Sequence, residues 1–223
     1  MKLLSWLLNL LFPPKCLLCR HILKDEELDL CRTCRVDGPE CTNYQKKIPF
    51  IDSWTAVWYY EDNARRSLLR YKFGGKRGYA QGYGRLLAMK LLEAHPEGFD
   101  ILTWVPVSRL RKFRRGYDQV ELLAQFVGTE LGLEPMPLLQ KIRHNRPQSG
   151  IIGDAKRRAN VLGVYRVGNP AILQEKNVLL LDDIITTGAT AAECARVLLT
   201  AGAKEIHCGA VAVARHRANN KVR

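Results

Sequence analysis

The chain has no apolar run long enough to cross a membrane and no G-x-x-x-x-G-K-[ST] loop. The first absence excludes a membrane-spanning helix, which needs about 18–20 apolar residues. The second excludes a P-loop nucleotide site. Acidic residues are also scarce, because 22 Asp and Glu stand against 35 Lys and Arg and leave a formal net charge of +13. This charge favours phosphate-bearing partners, nucleic acid included; the alternative is a basic surface that only aids solubility or meets anionic substrates.

The first twelve residues, MKLLSWLLNLLF, lack a small-residue cleavage site, since two prolines and a cysteine pair follow them. A secretory signal is therefore disfavoured. The sequence predicts an amphipathic helix whose leucines dock on the domain behind it, with attachment to a membrane surface as the alternative. We expect a cytoplasmic protein with one sizeable core and a small appendage.

Four of the seven cysteines form two C-x-x-C pairs separated by a short charged loop. Each pair can place two thiolates on one metal, and two pairs complete a tetrahedral site. Because four thiolates leave no open position for catalysis, the pattern predicts structural zinc, with a redox or disulfide role as the alternative. Cys41 and His21 lie outside the pattern. The predicted metal ligands are Cys16, Cys19, Cys31 and Cys34.

The stretch VLLLDDIITTGAT places Asp182 and Asp183 after an aliphatic run without alternation. Such a run predicts a buried parallel strand, and the residues after the turn have the apolar spacing of a helix that stops near Gly202. The carboxyl end of a strand in an open α/β sheet is a ligand-binding edge. A Thr/Gly turn entering a helix suits a phosphate, while carboxylates accept hydroxyl hydrogen bonds or face hydrated magnesium. The pattern predicts a ribose phosphate site; a simple strand cap is the alternative.

At these residues the chain resembles the type I phosphoribosyltransferases, which use phosphoribosyl diphosphate (PRPP). The resemblance implies that Asp182 and Asp183 bind the ribose 2′- and 3′-hydroxyls, and that magnesium accompanies the PRPP. It assigns the 5′-phosphate to the turn that follows, made of Thr186, Thr187, Gly188, Ala189 and Thr190. In an active transferase, the expected catalytic residues are Asp182, Asp183 and Arg143.

An earlier strand, expected to end at Val105–Ser108 and to be followed by a helix from about Tyr117, shares this edge of the sheet. By resemblance, Val107, Ser108 and Arg109 meet the leaving diphosphate of PRPP.

The strings RRGYDQVELLA, YKFGG and KIRHNRPQSGIIGDAKRRANVLGVYRV, together with the cysteine pairs, are similar to the ComF family, named for bacterial competence and DNA uptake. The similarity covers nearly the whole chain. It implies single-stranded DNA and a competence helicase as partners. Asp118 and Asn145 depart from the Asn and Thr that are more usual in this family.

Residues 143–160 are polar, basic and interrupted by proline and glycine, which predicts a mobile loop. By resemblance, this loop closes over the diphosphate, excludes water and brings cations to the leaving group. A solvated basic loop is the alternative. The candidate side chains are Arg143, Arg146, Gln148, Lys156, Arg157, Arg158 and Asn160.

A basic segment around YKFGGKRGY combines helical apolar spacing with a glycine-rich break, and we expect its cations to be exposed. Tyr71, Phe73 and Tyr79 are interleaved with them, and could stack on the bases of a single strand or pack in the core. The candidate nucleic-acid-binding residues are Arg70, Lys72, Lys76, Arg77, Arg114 and Arg115.

The predicted fold is α/β: a type I phosphoribosyltransferase-like parallel sheet flanked by helices, with a small N-terminal four-cysteine zinc module. Residues 1–47 form the helix and zinc module, and residues 48–223 form the phosphoribosyltransferase-like domain. Two functions compete: single-stranded DNA binding in DNA uptake with a PRPP site, and an active phosphoribosyltransferase on a nucleobase or other nitrogen acceptor. A purely structural zinc adaptor explains too little of the C-terminal half.

Overall fold

The central sheet has four parallel strands in the computed structural model, which describes residues 12–42, 47–143 and 153–215. These strands are β1 (Ser53–Tyr59), β2 (Ile101–Trp104), β5 (Asn177–Ile185) and β6 (Glu205–Val213), in the spatial order β1-β6-β5-β2. A separate antiparallel pair consists of β3 (Leu139–Lys141) and β4 (Tyr165–Val167). Parallel neighbours need long crossovers, and helices supply them here.

The helices of the described residues fall on both sides of this sheet. They are α1 (Arg32–Val36), α2 (Asp62–Phe73), α3 (Tyr79–Ala94), α4 (Arg109–Arg115), α5 (Gln119–Leu131), α6 (Asp154–Val161) and α7 (Ala189–Thr200). A short 3-10 turn, Pro170–Leu173, precedes β5.

Alternate side chains of β5 enter two different cores. Leu179 and Leu181 pack with α2, α3 and α5, while Val178 and Leu180 pack with α7 and the β3–β4 pair. All four side chains are fully buried. This two-sided burial is why the strand lacks the polar alternation of a half-exposed strand. The predicted α/β fold with a flanked parallel sheet is confirmed.

Polar caps set where two helices begin. The Ser108 hydroxyl accepts a hydrogen bond from the Arg111 amide at 3.4 Å, and α4 starts after it. The Asp118 carboxylate accepts from the amides of Val120 and Glu121, and α5 starts after it. Both expected boundaries differ slightly from the structure. Strand β2 stops at Trp104, before the expected end at Val105–Ser108, and α5 begins at Gln119, two residues after the expected Tyr117.

The segment predicted to be a mobile loop contains a helix in its second half. Residues 154–161 form α6, which packs against α7. Within the predicted segment, Arg146 and Gln148 lie outside the described residues, as do the leucines of the predicted N-terminal helix.

The cysteine-rich segment shares a core with the sheet domain. Leu17 and Leu18 pack in the same cluster as Leu68 and Tyr83 of α2 and α3. The Arg85 guanidinium also pairs with Asp29 at 2.5 Å. Side chains from both sides of residue 47 therefore pack in one core. The domain boundary proposed at this residue stays a prediction.

Helices capable of crossing a membrane are absent from the described part of the chain: none combines sufficient length with sufficient apolar character.

Candidate functional site

A cleft of about 910 Å³ opens where β2 and β5 end. The acid pair, the Thr/Gly turn and the residues after β2 all line it, as expected from neighbouring parallel strands. Five cations face the two carboxylates in the described lining. These cations are Lys72, Arg111, Arg115, Lys141 and Arg157.

The acid pair lies at the end of β5 and its two members differ in environment. Asp183 is only 4% exposed, and its Oδ1 lies 2.9 Å from Lys72 Nζ. Gln119 donates its Nε2 hydrogen to Asp183 Oδ2 at 3.0 Å. Asp182 is half-buried, and its Oδ1 accepts from the Asp183 amide at 2.8 Å. Lys72 and Gln119 therefore both contact Asp183, one at each carboxylate oxygen.

These different environments shift the pKa values of the two acids in opposite directions. Burial, and then the neighbouring Asp183 charge, raises the pKa of Asp182 well above its ordinary value. Burial also pushes the pKa of Asp183 upward, but Lys72 and Gln119 outweigh it, so the pKa of Asp183 is lowered. Adjacent carboxylates resist joint ionisation. The pair thus offers an ionised acceptor beside a carboxyl that holds its proton more tightly.

The turn after the acids is shaped by a close approach. Gly188 has a φ of +80°, a conformation that L side chains rarely adopt, and a Cβ there would meet Ile48 at 3.0 Å. The Thr187 hydroxyl accepts from the Ala189 amide at 3.3 Å. Helix α7 starts at Ala189, so its amide-rich, positive end faces the cleft. All five residues assigned to the phosphate turn line the cleft.

The segment expected to bind the diphosphate, Val107 to Arg109, is held in place by hydrogen bonds at the starts of α4 and α5. The Val107 amide donates to Asp118 Oδ2 at 3.3 Å, and the Ser108 hydroxyl caps α4. Only Val107 of this predicted trio belongs to the described cleft lining. The side chain of Arg109 is not among the described ones. Asp118, whose identity departs from the family pattern, ties this segment to α5 instead of facing the cleft.

The sequence analysis missed two cations of the cleft. Lys141 ends β3 and Arg111 lies in α4. Burial, and then Arg111, lowers the pKa of Lys141 to about 8. Its position at the strand end just before the polar segment was the signal that could have identified it. Arg143, predicted as catalytic, is exposed and is not in the described lining.

The expected nucleic-acid residues divide into two groups. The prediction that Arg70 and Lys72 are exposed is wrong: Arg70 Nη2 donates to the carbonyls of Leu17 and Leu18, at 3.0 and 2.7 Å, and Lys72 pairs with Asp183. Lys76 and Arg77 are exposed, as predicted.

Two of the remaining candidate arginines lie over aromatic rings. Arg77 lies over the Tyr117 ring at 4.7 Å, and Arg115 lies over the Phe73 ring at 4.9 Å. The side chain of Arg114 is not described. Tyr71 is fully buried and donates to the Gln119 carbonyl, so it packs in the core, whereas Phe73 is 71% exposed.

The four cysteine sulfurs form a single cluster. Their Sγ atoms all lie within 4.8 Å of one another, with Cys19 and Cys31 3.6 Å apart. Four sulfurs at the usual zinc bond length of about 2.3 Å would lie about 3.8 Å apart, so the cluster fits a tetrahedral zinc site. Cys41 and His21 do not join it among the described residues.

Comparison with known proteins matches both parts of the chain. Residues 121–223 match the family described as phosphoribosyl transferase domain, and residues 7–46 match the double zinc ribbon domain. Competence protein F of Haemophilus influenzae is 26% identical, over 86% of this chain and 93% of that protein.

Two further relatives have related names. DNA utilization protein YhgH of Escherichia coli O157:H7 is 26% identical, over 86% of each chain. Competence protein ComFC of Streptococcus pneumoniae is 27% identical, over 86% of this chain and 96% of that protein. The resemblance drawn from the motifs is confirmed: the chain is similar to competence and DNA utilization proteins over 86% of its length, and it joins a double zinc ribbon domain to a phosphoribosyl transferase domain.

Proposed function

We propose that this protein acts in DNA uptake or DNA utilization, binds PRPP with magnesium in its cleft, and binds single-stranded DNA. The observation that carries the PRPP site is the convergence of Asp182 and Asp183 with the Thr186–Thr190 turn in one cleft. Carboxylates that accept from ribose hydroxyls, beside helix-end amides that hold a phosphate, match the two ends of a ribose 5-phosphate group.

The charge balance of the cleft supports a polyanionic ligand. Five cations and two carboxylates line the cleft, and the raised pKa of Asp182 favours the protonated form of that acid. Burial lowers the pKa of both Arg115 and Lys141, so further negative charge beside either cation would favour its charged form. A diphosphate would supply that charge. Magnesium, when bound with PRPP, would neutralise part of the diphosphate.

Titration calorimetry with PRPP and magnesium tests this site. We expect the wild-type protein to bind and Asp182→Asn/Asp183→Asn to bind at least tenfold more weakly, since hydrogen bonds to charged groups contribute about 1.5–3 kcal/mol each. Because Asp183→Asn also breaks the Lys72 pair, circular dichroism must show an unchanged fold. Equal affinities in the two proteins would contradict the assignment.

A working phosphoribosyltransferase is the second candidate, and the completeness of the acid pair and turn favours it. In such a reaction, the bond from C1 of the ribose to the diphosphate breaks and the diphosphate leaves with the electron pair. A nitrogen acceptor then forms the new bond to C1. The cleft cations would stabilise the leaving diphosphate, while the acid pair orients the sugar. Diphosphate release that depends on an added nitrogen acceptor, and that the double Asn variant loses, is the expected result.

A basic and aromatic surface that begins in the cleft lining supports single-stranded DNA binding. Phe73 is exposed and carries Arg115 over its ring, which is the arrangement of a base-stacking aromatic with a nearby phosphate-binding cation. Lys76 and Arg77 extend the positive surface on the same segment. A helicase partner remains a prediction from the family resemblance.

Fluorescence anisotropy with a labelled single strand tests the DNA surface. We expect affinity to fall steeply with salt, and Lys76→Ala to lower the slope of log K against log salt by about 1. Lys204→Ala, an exposed lysine before β6, is the matched control and should leave the slope unchanged. Salt-insensitive binding, or equal effects of the two substitutions, would contradict a DNA site at this segment.

The zinc ribbon match and the sulfur geometry support one structural zinc ion held by Cys16, Cys19, Cys31 and Cys34. Four thiolates complete the coordination of zinc and leave no position for substrate. The ion would therefore stabilise the fold without taking part in the chemistry of the cleft.

A further inference from the structure

Both oxygens of Asp183 already have partners in the cleft. Lys72 Nζ lies 2.9 Å from Oδ1, and Gln119 Nε2 donates to Oδ2 at 3.0 Å. With only 4% of the residue exposed, there is little room for a sugar hydroxyl beside these groups. An incoming hydroxyl must therefore compete with Lys72, the more accessible of the two, whose side chain is 19% exposed.

Lys72 balances the negative charge of the acid pair. A buried carboxylate without a partner is costly, and loss of one member of a buried ion pair leaves the other uncompensated. Lys72 lowers the pKa of Asp183 and also acts against the rise in the pKa of Asp182. The contact with Lys72 thus favours the ionised form of Asp183.

The position of Lys72 allows it to leave Asp183. It lies in the last turn of α2, two residues before Gly74 and three before Gly75, and Gly75 has a φ of +65° with open space around it. The lysine side chain is a mobile point charge on a four-carbon stem, unlike the rigid arginine fork. A diphosphate that enters the same cleft carries more negative charge than one carboxylate, so it would be a stronger partner for the ammonium group of Lys72.

We propose that Lys72 is a positioning residue that pairs with Asp183 before PRPP binds and transfers to the diphosphate when PRPP binds. This inference rests on the proposed PRPP site and assigns a ligand-dependent role to a lysine of α2. Release of Lys72 frees Asp183 Oδ1 for a ribose hydroxyl, so sugar binding and diphosphate binding are linked through one side chain. A ligand without the diphosphate displaces Lys72 but gives it no new partner.

Calorimetric titration with two ligands separates this role from simple structural support. The ligands are PRPP with magnesium and ribose 5-phosphate, and the proteins are wild type, Lys72→Met, Lys72→Arg and the matched control Lys204→Met. We expect Lys72→Met to weaken PRPP binding at least tenfold and ribose 5-phosphate binding by no more than threefold. Lys72→Arg should recover part of the PRPP affinity, and Lys204→Met should change either affinity by less than threefold.

A pH series adds a readout that a packing defect would not change. Without Lys72, the pKa of Asp183 should rise, so ribose 5-phosphate binding to Lys72→Met should depend on pH in the acidic range differently from wild type. Thermal melts establish that each variant is folded.

The outcomes distinguish the inference from the function on which it rests. Equal losses for both ligands in Lys72→Met, or no loss for PRPP, overturn the transfer of Lys72 and leave the PRPP site intact. Wild-type protein that binds neither ligand overturns the proposed function, and the role of Lys72 with it. A loss confined to PRPP, with partial recovery in Lys72→Arg, supports the proposal.

Discussion

At the level of single residues, the pKa values of the charged side chains in the cleft are shifted by burial and by one another. Asp183 is kept ionised by Lys72, while Asp182 and Lys141 are pushed toward their neutral forms, chiefly by burial. Such opposed shifts within one cleft are typical of functional sites. They also make ligand binding dependent on pH in a way that can be measured.

Lys141 provides the first such measurement. Its pKa of about 8 should rise when a diphosphate binds, so the complex takes up protons and affinity falls as pH rises through 8. Calorimetry with PRPP at pH about 8.5, in two buffers of different ionisation enthalpy, should show uptake of a large fraction of one proton. Lys141→Arg, which stays charged, should abolish it. Identical heats in both buffers would show that Lys141 does not meet the anion.

At the level of helices and strands, the residue that caps α5 also holds the segment that follows β2. The Asp118 carboxylate binds two amides at the helix start with one oxygen and the Val107 amide with the other. One side chain therefore fixes both a helix start and the path of the segment after β2.

We expect Asp118→Ala to destabilise the protein by about 1–2 kcal/mol, the usual cost of losing a helix cap. Asp118→Asn should cost less, because its amide oxygen still accepts from the helix amides. Denaturant unfolding of both variants measures the difference. If the alanine and asparagine variants prove equally stable, the cap does not fix the start of α5.

At the scale of the whole molecule, the cysteine cluster and the sheet domain share one core. Leu17 and Leu18 pack with α2 and α3, and the Arg70 guanidinium binds the carbonyls of both leucines. A Cβ on Gly82 of α3 would clash with Asp29, which shows how closely the two parts approach. The N-terminal module is thus part of the support for α2, which carries Lys72.

Removal of zinc should therefore destabilise the entire protein. We expect Cys31→Ser, or chelation, to lower the melting temperature of a single transition, followed by far-ultraviolet circular dichroism and by tryptophan fluorescence, because Trp58 lies in the shared core. The half-buried Cys41, outside the cluster, supplies the control Cys41→Ser. A helical transition that stays at its original temperature after zinc loss would show that residues 48–223 fold independently.

Local signals in the sequence were enough to predict several elements. The buried strand β5, the acids that end it, the helix after the Thr/Gly turn and the paired cysteines all follow from runs and spacings within a few residues. These features predict an α/β sheet with a ligand-binding edge and a cluster of four cysteines, because strand burial, helix starts and C-x-x-C geometry depend on neighbours in the chain.

The contacts between side chains that are distant in the chain could not be predicted from local signals. Lys72 and Asp183 are more than a hundred residues apart in the chain, and Lys141 reaches the cleft from the β3–β4 pair. Arg70 resembles the exposed cations beside it but turns toward the cysteine module. The physical reason is that helical spacing predicts the face on which a residue lies, whereas its partner depends on which element packs against that face.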